Sequence, residues 1–473
     1  MPPIRRAFLT GGLILLLASA GWTVQTKSGS GEAGFATAVQ KIQHIIVIYQ
    51  ENWSFDGLYG KFPGGYGLSS PAARITQVDK DGNPLIELPQ PLDTETSPST
   101  PDKRFPPANG SPELPPLPFD MTKYVGADQT AGDLVHKFYH EQLQIDAGKM
   151  DKFVTWSDNG GLVLSYLDAT NLPEGKLAQE FVLCDDSFHS AFGGSFLNHQ
   201  FLIAAAPPVW KNAPATAISS PDPRNLRDAI VTPDGFAVNT VFSVNSPHPS
   251  DSDPAMLLPE QTNPTIGDRL SEKTISWKWY SGGWNTAIAG FPDPLFQFHH
   301  QPFAYYENFK DGTPARNEHL QDESAFLTDL ILGNLPAVSF IKPLGEDNEH
   351  PGYATVLRGQ QHVQQIVDAV RQSDYWKDSV IIVTYDENGG RWDHVAPPVI
   401  DRWGPGTRVP TIVISPFAKR HFVDHTTYET VSILKLIETR YGLAPLSDRD
   451  AKANPFSNAF DFANGETNAG ANH

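Results

Sequence analysis

The chain has 473 residues, of which 40% are hydrophobic and 11% aromatic, enough for a substantial core and against wholesale disorder. Its formal net charge of −19, from 35 Lys+Arg against 54 Asp+Glu, repels nucleic-acid phosphates and anionic membrane and takes nonspecific nucleic-acid binding off the expected partners. Forty-one prolines and 38 glycines predict long irregular connections around that core.

Residues 1–20 read as an export signal. Arg5 and Arg6 stand before Ala7-Phe8-Leu9-Thr10, an apolar run follows over 13–18, and Ala18-Ser19-Ala20 offers a small-residue cleavage site. The paired arginines resemble a twin-arginine signal, which implies the twin-arginine export machinery as a partner and a periplasmic or secreted bacterial location. An ordinary secretory signal or an uncleaved anchor are the alternatives. The apolar stretch falls short of the ~20 residues that span a bilayer, so no stable membrane insertion is expected after cleavage. Cleavage after Ala20 removes two arginines and no acids, taking the charge from −19 to −21.

Residues 21–455 read as a single α/β domain. QHIIVIY at 43–49 is a near-continuous apolar run, as in a strand buried on both faces, and it ends in Gln50-Glu51-Asn52. Residues 84–118 hold 11 prolines in 35 positions and read as a surface insertion. Asp133 and His136 follow, three apart. The only cysteine, Cys184, has no partner for an intramolecular disulfide and reads as a small buried apolar residue. GGSFLNH at 193–199 opens a helical stretch over 196–204. Residues 207–264 read as a second insertion, with a short hairpin around 236–244.

Further along, Lys278 lies in WKWY, where it could touch phosphate or pack between aromatic rings. His299 and His300 form an unusual pair in FQFHHQPF. AVSFI at 337–341 is a further strand, followed by NEHPG with His350. Residues 360–371 put Val363, Ile366, Val367 and Val370 on one helical face. SVIIVTY at 379–385 repeats the design of the first strand and runs into Asp386-Glu387-Asn388-Gly389-Gly390, with Asp393-His394 just beyond. VPTIVIS at 409–415 is one more strand, His425 reads as helping to cap the last long helix at 430–441, and 456–473 reads as a loosely held polar tail. Strands alternating with helices predict a mostly parallel central sheet flanked by helices.

In such a sheet, ligands collect beyond the carboxyl ends of the strands. Glu51-Asn52 and Asp386-Glu387 occupy two such ends and offer oxygen ligands to a divalent cation or a phosphate site; the same acids could instead cap the next helices. No G-x-S-x-G elbow and no P-loop occurs, which weighs against a lipase fold or a nucleotide kinase. Glycines before Ser195 would put its hydroxyl at a helix N-terminus, where orphan N–H groups hold an anion. On spacing alone Ser195 reads better as a plain N-cap than as a nucleophile, and Ser187 and Ser190 compete with it. His136, His299, His300 and His350 could donate to phosphoryl oxygens or protonate a leaving alkoxide.

Taken together, HIIVIYQENWSFDGLYGKFPG (44–64), GKMDKFV (148–154), CDDSFHSAFGGSFLNHQFL (184–202), YDENGGRWDHVAPP (385–398) and GPGTRVPTIVISPFAK (404–419) resemble the bacterial phosphoesterase family of phospholipases C and exported acid phosphatases, within the alkaline-phosphatase-like superfamily. The resemblance implies an alkaline-phosphatase-like α/β fold and one divalent metal ion bound by Glu51, Asn52, Asp386, Glu387 and Ser195. Phospholipase-type relatives carry threonine in a Gly-Pro-Thr context; the Gly-Gly-Ser here is closer to the acid-phosphatase branch. The resemblance further implies Ser195 as nucleophile, His350 as the proton donor, and His136, His199, His299, His300, His394 and Asn198 as substrate contacts. The expected function is metal-assisted hydrolysis of small-molecule phosphate monoesters through a phosphoserine, with histidine cations favouring acidic pH. The alternatives are a phospholipase C and a non-catalytic phosphate- or metal-binding protein.

Overall fold

The structure, a computed structural model, describes residues 28–464; the export-signal reading of 1–20 and the end of the tail lie outside them. Eight strands make the central sheet: β1 (His44–Gln50), β2 (Val182–Cys184), β3 (Trp277–Ser281), β4 (Leu320–Asp322), β5 (Val338–Lys342), β6 (Ser379–Tyr385), β7 (Thr411–Ile414) and β8 (Phe422–Asp424). Their order across the sheet is β8-β2-β7-β6-β1-β5-β3-β4. β1 and β6 sit at the centre, which is why both are unbroken β-branched runs with almost every residue buried.

All pairings are parallel except those on either side of β7. The sequence does predict a strand here, yet its direction departs from the parallel pattern. No helix lies between β6 and β7, so no crossover returns the chain to the other edge, and β7 turns back antiparallel.

Helices cover the sheet: α1 (Phe55–Tyr59), α2 (Pro173–Glu180), α3 (Ser195–Ala204), α4 (Val356–Arg371) and α5 (Val431–Tyr441). On α4 the predicted face, Val363, Ile366, Val367 and Val370, is buried, and the helix packs on α2. The mostly parallel α/β architecture expected from the sequence is the one observed.

The insertions differ from expectation in detail. Within 84–118 two short strands pair, Leu92–Asp93 with Thr100–Pro101. No hairpin spans 236–244: Phe236 bridges Val209 and Ser243 bridges Leu258, while Ala237 turns back on Val231 across the tight turn at 232–236. Of the predicted tail, Phe456, Ala459 and Phe460 are buried, and Phe460 stacks with Phe462 beside Phe35.

The register does the work that matters for function. Gln50 pairs with Tyr385, so Glu51 and Asp386 leave the sheet side by side. On the other flank Ile48 pairs with Ile341, which brings Lys342 to the same edge.

Candidate active site

Ser195 is the first residue of α3, and Gly194 is the N-cap. The Gly-Gly step before it is dictated by crowding. Gly193 has φ +87°, and a Cβ there would lie 2.5 Å from the Phe138 backbone nitrogen; one on Gly194 would lie 2.9 Å from the His136 carbonyl oxygen. The loop is pinned from below by Glu141, whose Oε2 accepts from the Gly193 N–H at 2.6 Å. Thus placed, the Ser195 hydroxyl does not cap its helix. Its Oγ lies 3.3 Å from Glu51 Oε2, to which it donates, and 3.4 Å from Asn52 Oδ1.

Carboxylates crowd around this hydroxyl. Asp386 Oδ1 accepts from the backbone N–H groups of Asn52 (3.2 Å) and Glu387 (2.8 Å), and Glu387 Oε2 accepts from the Gly389 N–H at 2.5 Å. Asp386 Oδ2 and Glu387 Oε1 are buried without a hydrogen-bond partner. Asn52 holds φ 63°, a left-handed conformation that asparagine tolerates better than most residues. Burial, and then Glu51, push the Asp386 carboxyl up to about 7; burial, and then Asp386, push Glu387 well above the carboxylate range. Burial also acts to raise Glu51, but His300 and Lys342 outweigh it and hold this carboxyl well below its usual range.

Lys342 is the cation in this pocket, and the sequence reading missed it. It is fully buried, its Nζ contacts Glu51 Oε1, and it lies 4.0 Å from Asp386 Oδ2. The signal was a charged residue closing a third apolar strand, near the same edge as Glu51 and Asp386.

The donor set suits a divalent cation. Three buried carboxylates face one ammonium, the two orphan oxygens are carboxylate, and Asn52 and Ser195 add neutral oxygens. Burial favours the protonated forms of Asp386 and Glu387, and a bound cation would favour their ionised forms.

Histidines line the rest. His300 Nε2 lies 2.7 Å from Glu51 Oε1, and its ring stacks on that of His199 at 5.1 Å and 3°. His299 packs edge-on to His300 at 4.6 Å. His199 Nδ1 bonds the Ser195 carbonyl at 2.7 Å, as a residue one turn on in a helix can. His136 Nε2 lies 3.4 Å from the Asn52 side-chain nitrogen and 3.8 Å from Glu387 Oε1, and its ring faces that of His350 at 5.9 Å. Ligating atoms of Glu51, His199 and His300 converge within 4.8 Å of one another, as do those of Asp133, His136 and His350.

The charge state of the inner three differs from expectation. Burial pushes the His300 imidazole down to about 4, and burial, then like charges, push His199 and His299 well below their ordinary range. Burial thus works against the cationic forms expected from the sequence.

Two expected substrate contacts are engaged elsewhere. The Asn198 carboxamide accepts from the Ala191 N–H (2.9 Å) and donates to the Ala191 and Gly194 carbonyls (3.0 and 3.3 Å), bracing the loop before Ser195. His394 belongs to a separate buried cluster: its Nδ1 lies 2.6 Å from Asp56 Oδ2, while Arg408 Nε donates to Asp393 Oδ1 at 2.9 Å and its Nη2 to Asp56 Oδ1 at 3.3 Å. Two acids there bind the Asp393-His394 pair to Arg408. Lys278 pairs with Asp329 at 2.6 Å, and His425 with Asp185 at 2.9 Å rather than with the last helix. Cys184 is buried in β2, and burial raises its thiol well above the usual value.

A family model described as the Phosphoesterase family matches residues 42–444. Among curated proteins, the non-hemolytic phospholipase C of Burkholderia pseudomallei is 24% identical over 85% of this chain and 55% of its own length. The phospholipase C B of Mycobacterium tuberculosis is 23% identical over 89% of this chain and 78% of its own length. This chain therefore spans little more than half of the first of these relatives. Among solved structures, an alkaline phosphatase superfamily protein from Vibrio parahaemolyticus aligns with TM-score 0.32 and 11% identity over 71% of this chain and 76% of its own. The phosphonate monoester hydrolase of Agrobacterium radiobacter aligns with TM-score 0.31 and 10% identity over 85% and 74%.

Proposed function

Because this chain belongs to the Phosphoesterase family, we propose that it hydrolyses phosphoric esters through Ser195, with monoesters of soluble alcohols as its substrates. The observation that carries the reading is the Ser195 hydroxyl itself, uncommitted to its helix and set 3.3 Å from Glu51. Ser195 Oγ would attack phosphorus and expel the alcohol, and water would then release phosphate from the phosphoserine. Two in-line displacements give net retention at phosphorus.

Glu51, Asn52, Asp386, Glu387 and Ser195 would hold one divalent cation, which when bound supplies Lewis-acid polarisation and lowers the pKa of the serine hydroxyl. Lys342 keeps Glu51 ionised and adds a fixed positive charge next to the phosphoryl oxygens. The N-terminal N–H groups of α3 point the same way. His199, His299 and His300, as neutral imidazoles, would donate hydrogen bonds without adding charge. His350, stacked on Tyr353 at 4.4 Å and facing His136, would pass a proton to the leaving oxygen.

A groove of about 540 Å³ opens beside His136 and Gly194 and supports the choice of soluble monoesters. Thr94 and Ser99 of the first insertion and Asn239 and Thr240 of the second wall it, with Asp133 and Lys137 nearer the serine. Such a lining suits a polar alcohol better than a diacylglycerol. The second reading, phospholipase C, draws on the names of the curated relatives, which favour it over a phosphatase. We further take the protein to be exported, on the signal read in residues 1–20.

One assay separates the readings: metal-depleted protein, reconstituted ion by ion, turned over on an aryl phosphate, an alkyl phosphate and phosphatidylcholine vesicles. We expect activity only with a divalent ion, and kcat/KM for the monoesters at least ~10-fold above that for the lipid. The reverse preference would establish phospholipase C; full activity after chelation would remove the metal from the account.

A further inference from the structure

Glu349 takes no part in the chemistry above, yet it is gripped by the segments that form the site. It is 1% exposed, and its φ of 73° puts a non-glycine residue in the left-handed region. Its Oε1 accepts from Gln50 Nε2 at 3.0 Å, its Oε2 from the Tyr385 hydroxyl at 2.9 Å, and its backbone carbonyl from Trp53 Nε1 at 3.1 Å. Gln50 immediately precedes Glu51, Trp53 follows Asn52, and Tyr385 precedes Asp386. On the chain, Glu349 itself precedes His350.

The far side of the side chain is closed by α4. A Cβ on Gly359 would lie 2.2 Å from Glu349 Cγ, and Gln360 Nε2 donates to Glu349 Oε2 at 3.4 Å. Glu174 Oε2, on α2, is 3.1 Å from the same Tyr385 hydroxyl. The one Tyr385 hydroxyl is thus shared between two buried carboxylates. Burial accordingly pushes Glu174 up to about 7 and Glu349 well above the carboxylate range.

We propose that Glu349 is a positioning residue: its carboxyl ties the loop that carries His350 to the arms that carry Glu51, Asn52 and Asp386, and so sets the proton donor against Ser195. This inference rests on the reading of His350 as that donor. It makes Glu349 matter most when the leaving group needs a proton.

The test uses the full-length, metal-loaded protein and two substrates, an alkyl phosphate and a nitrophenyl phosphate whose leaving group departs unaided. Metal content and Tm are measured beside kcat and KM for Glu349→Gln, Glu349→Ala, His350→Ala and the Ala/Ala double variant. Glu349→Gln, which keeps the shape and a hydrogen-bonding group, is expected within about 3-fold of wild type. Glu349→Ala should lose about 100-fold in kcat on the alkyl ester and about 10-fold less than that on the nitrophenyl ester, with KM unchanged. The double variant should be no slower than His350→Ala. Gly359→Ala, which keeps the Glu349 carboxyl in the protein but displaces it, should reproduce the loss and guards against misfolding of Glu349→Ala. Equal losses on both substrates, or additive losses in the double variant when His350→Ala is itself impaired, would overturn the inference alone. A fully active His350→Ala would overturn the reading of His350 and the inference with it.

Discussion

Replacing Ser195 by alanine removes one oxygen from a pocket where its hydrogen bonds, at 3.3 and 3.4 Å, are long. Stability should therefore change by no more than about 1 kcal/mol, while kcat falls at least ~1,000-fold. Thermal melts beside steady-state kinetics decide it, and a variant with most of its turnover would refute the nucleophile. Lys342→Met has the opposite profile. It leaves the buried Glu51 carboxylate without its ammonium, a loss of about 3–5 kcal/mol in metal-free protein, and a smaller one once a divalent ion takes over the neutralisation. Urea denaturation with chelator and with metal should show that difference; equal effects in both would mean that the lysine and the ion do not share Glu51. Ser195, Glu51 and Asp386 could be read in the sequence because each stands in a distinctive local string. Lys342 could not, because a lysine after a strand looks like any surface lysine until pairing of β5 with β1 buries it. Asn198 and His394 have the right chemistry but are engaged otherwise, Asn198 by the loop just before its own helix and His394 by Asp56, far off in sequence.

At the scale of elements, the central strands were legible because a strand covered on both faces must be apolar throughout. The direction of β7 was not, since a strand has the same composition whichever way it runs; only the lack of a helix between 386 and 410 sets it. The unbuilt hairpin at 236–244 shows the same limit, because Phe236 and Ser243 pair with the distant Val209 and Leu258 while Ala237 turns back on Val231. Between α2 and the loop before α4, Glu174 makes a titration testable. Its carboxyl rises from the ordinary 4.5 to about 7 through burial, so the folded protein keeps a proton that the unfolded chain gives up. The stabilisation is complete below about pH 4.5 and is lost as pH climbs through about 7, a change of at most about 3 kcal/mol. Glu174→Gln should flatten that slope in denaturation curves taken across the interval; a slope as steep as wild type would place its origin elsewhere.

For the molecule as a whole, the formal charge of −19 means that the phosphate esters proposed as substrates would be gathered at short range, by Lys342 and a bound cation, not by long-range attraction. The two proline-rich insertions, which the sequence marked only as departures from the core, meet on one side and wall the groove beside Ser195. Their composition foretold that they lie outside the sheet, but not that they would converge. No helix among the described residues is long and apolar enough to cross a membrane. The register that sets Glu51, Lys342 and Asp386 on one edge has a kinetic corollary. Lys342 and Asp386 come from strands hundreds of positions from the one that carries Glu51, joined to it by ladders of high contact order, which form slowly. Helix content can return early in refolding while Ser195 stays inert, and recovered turnover then times the moment when the three middle strands zip together.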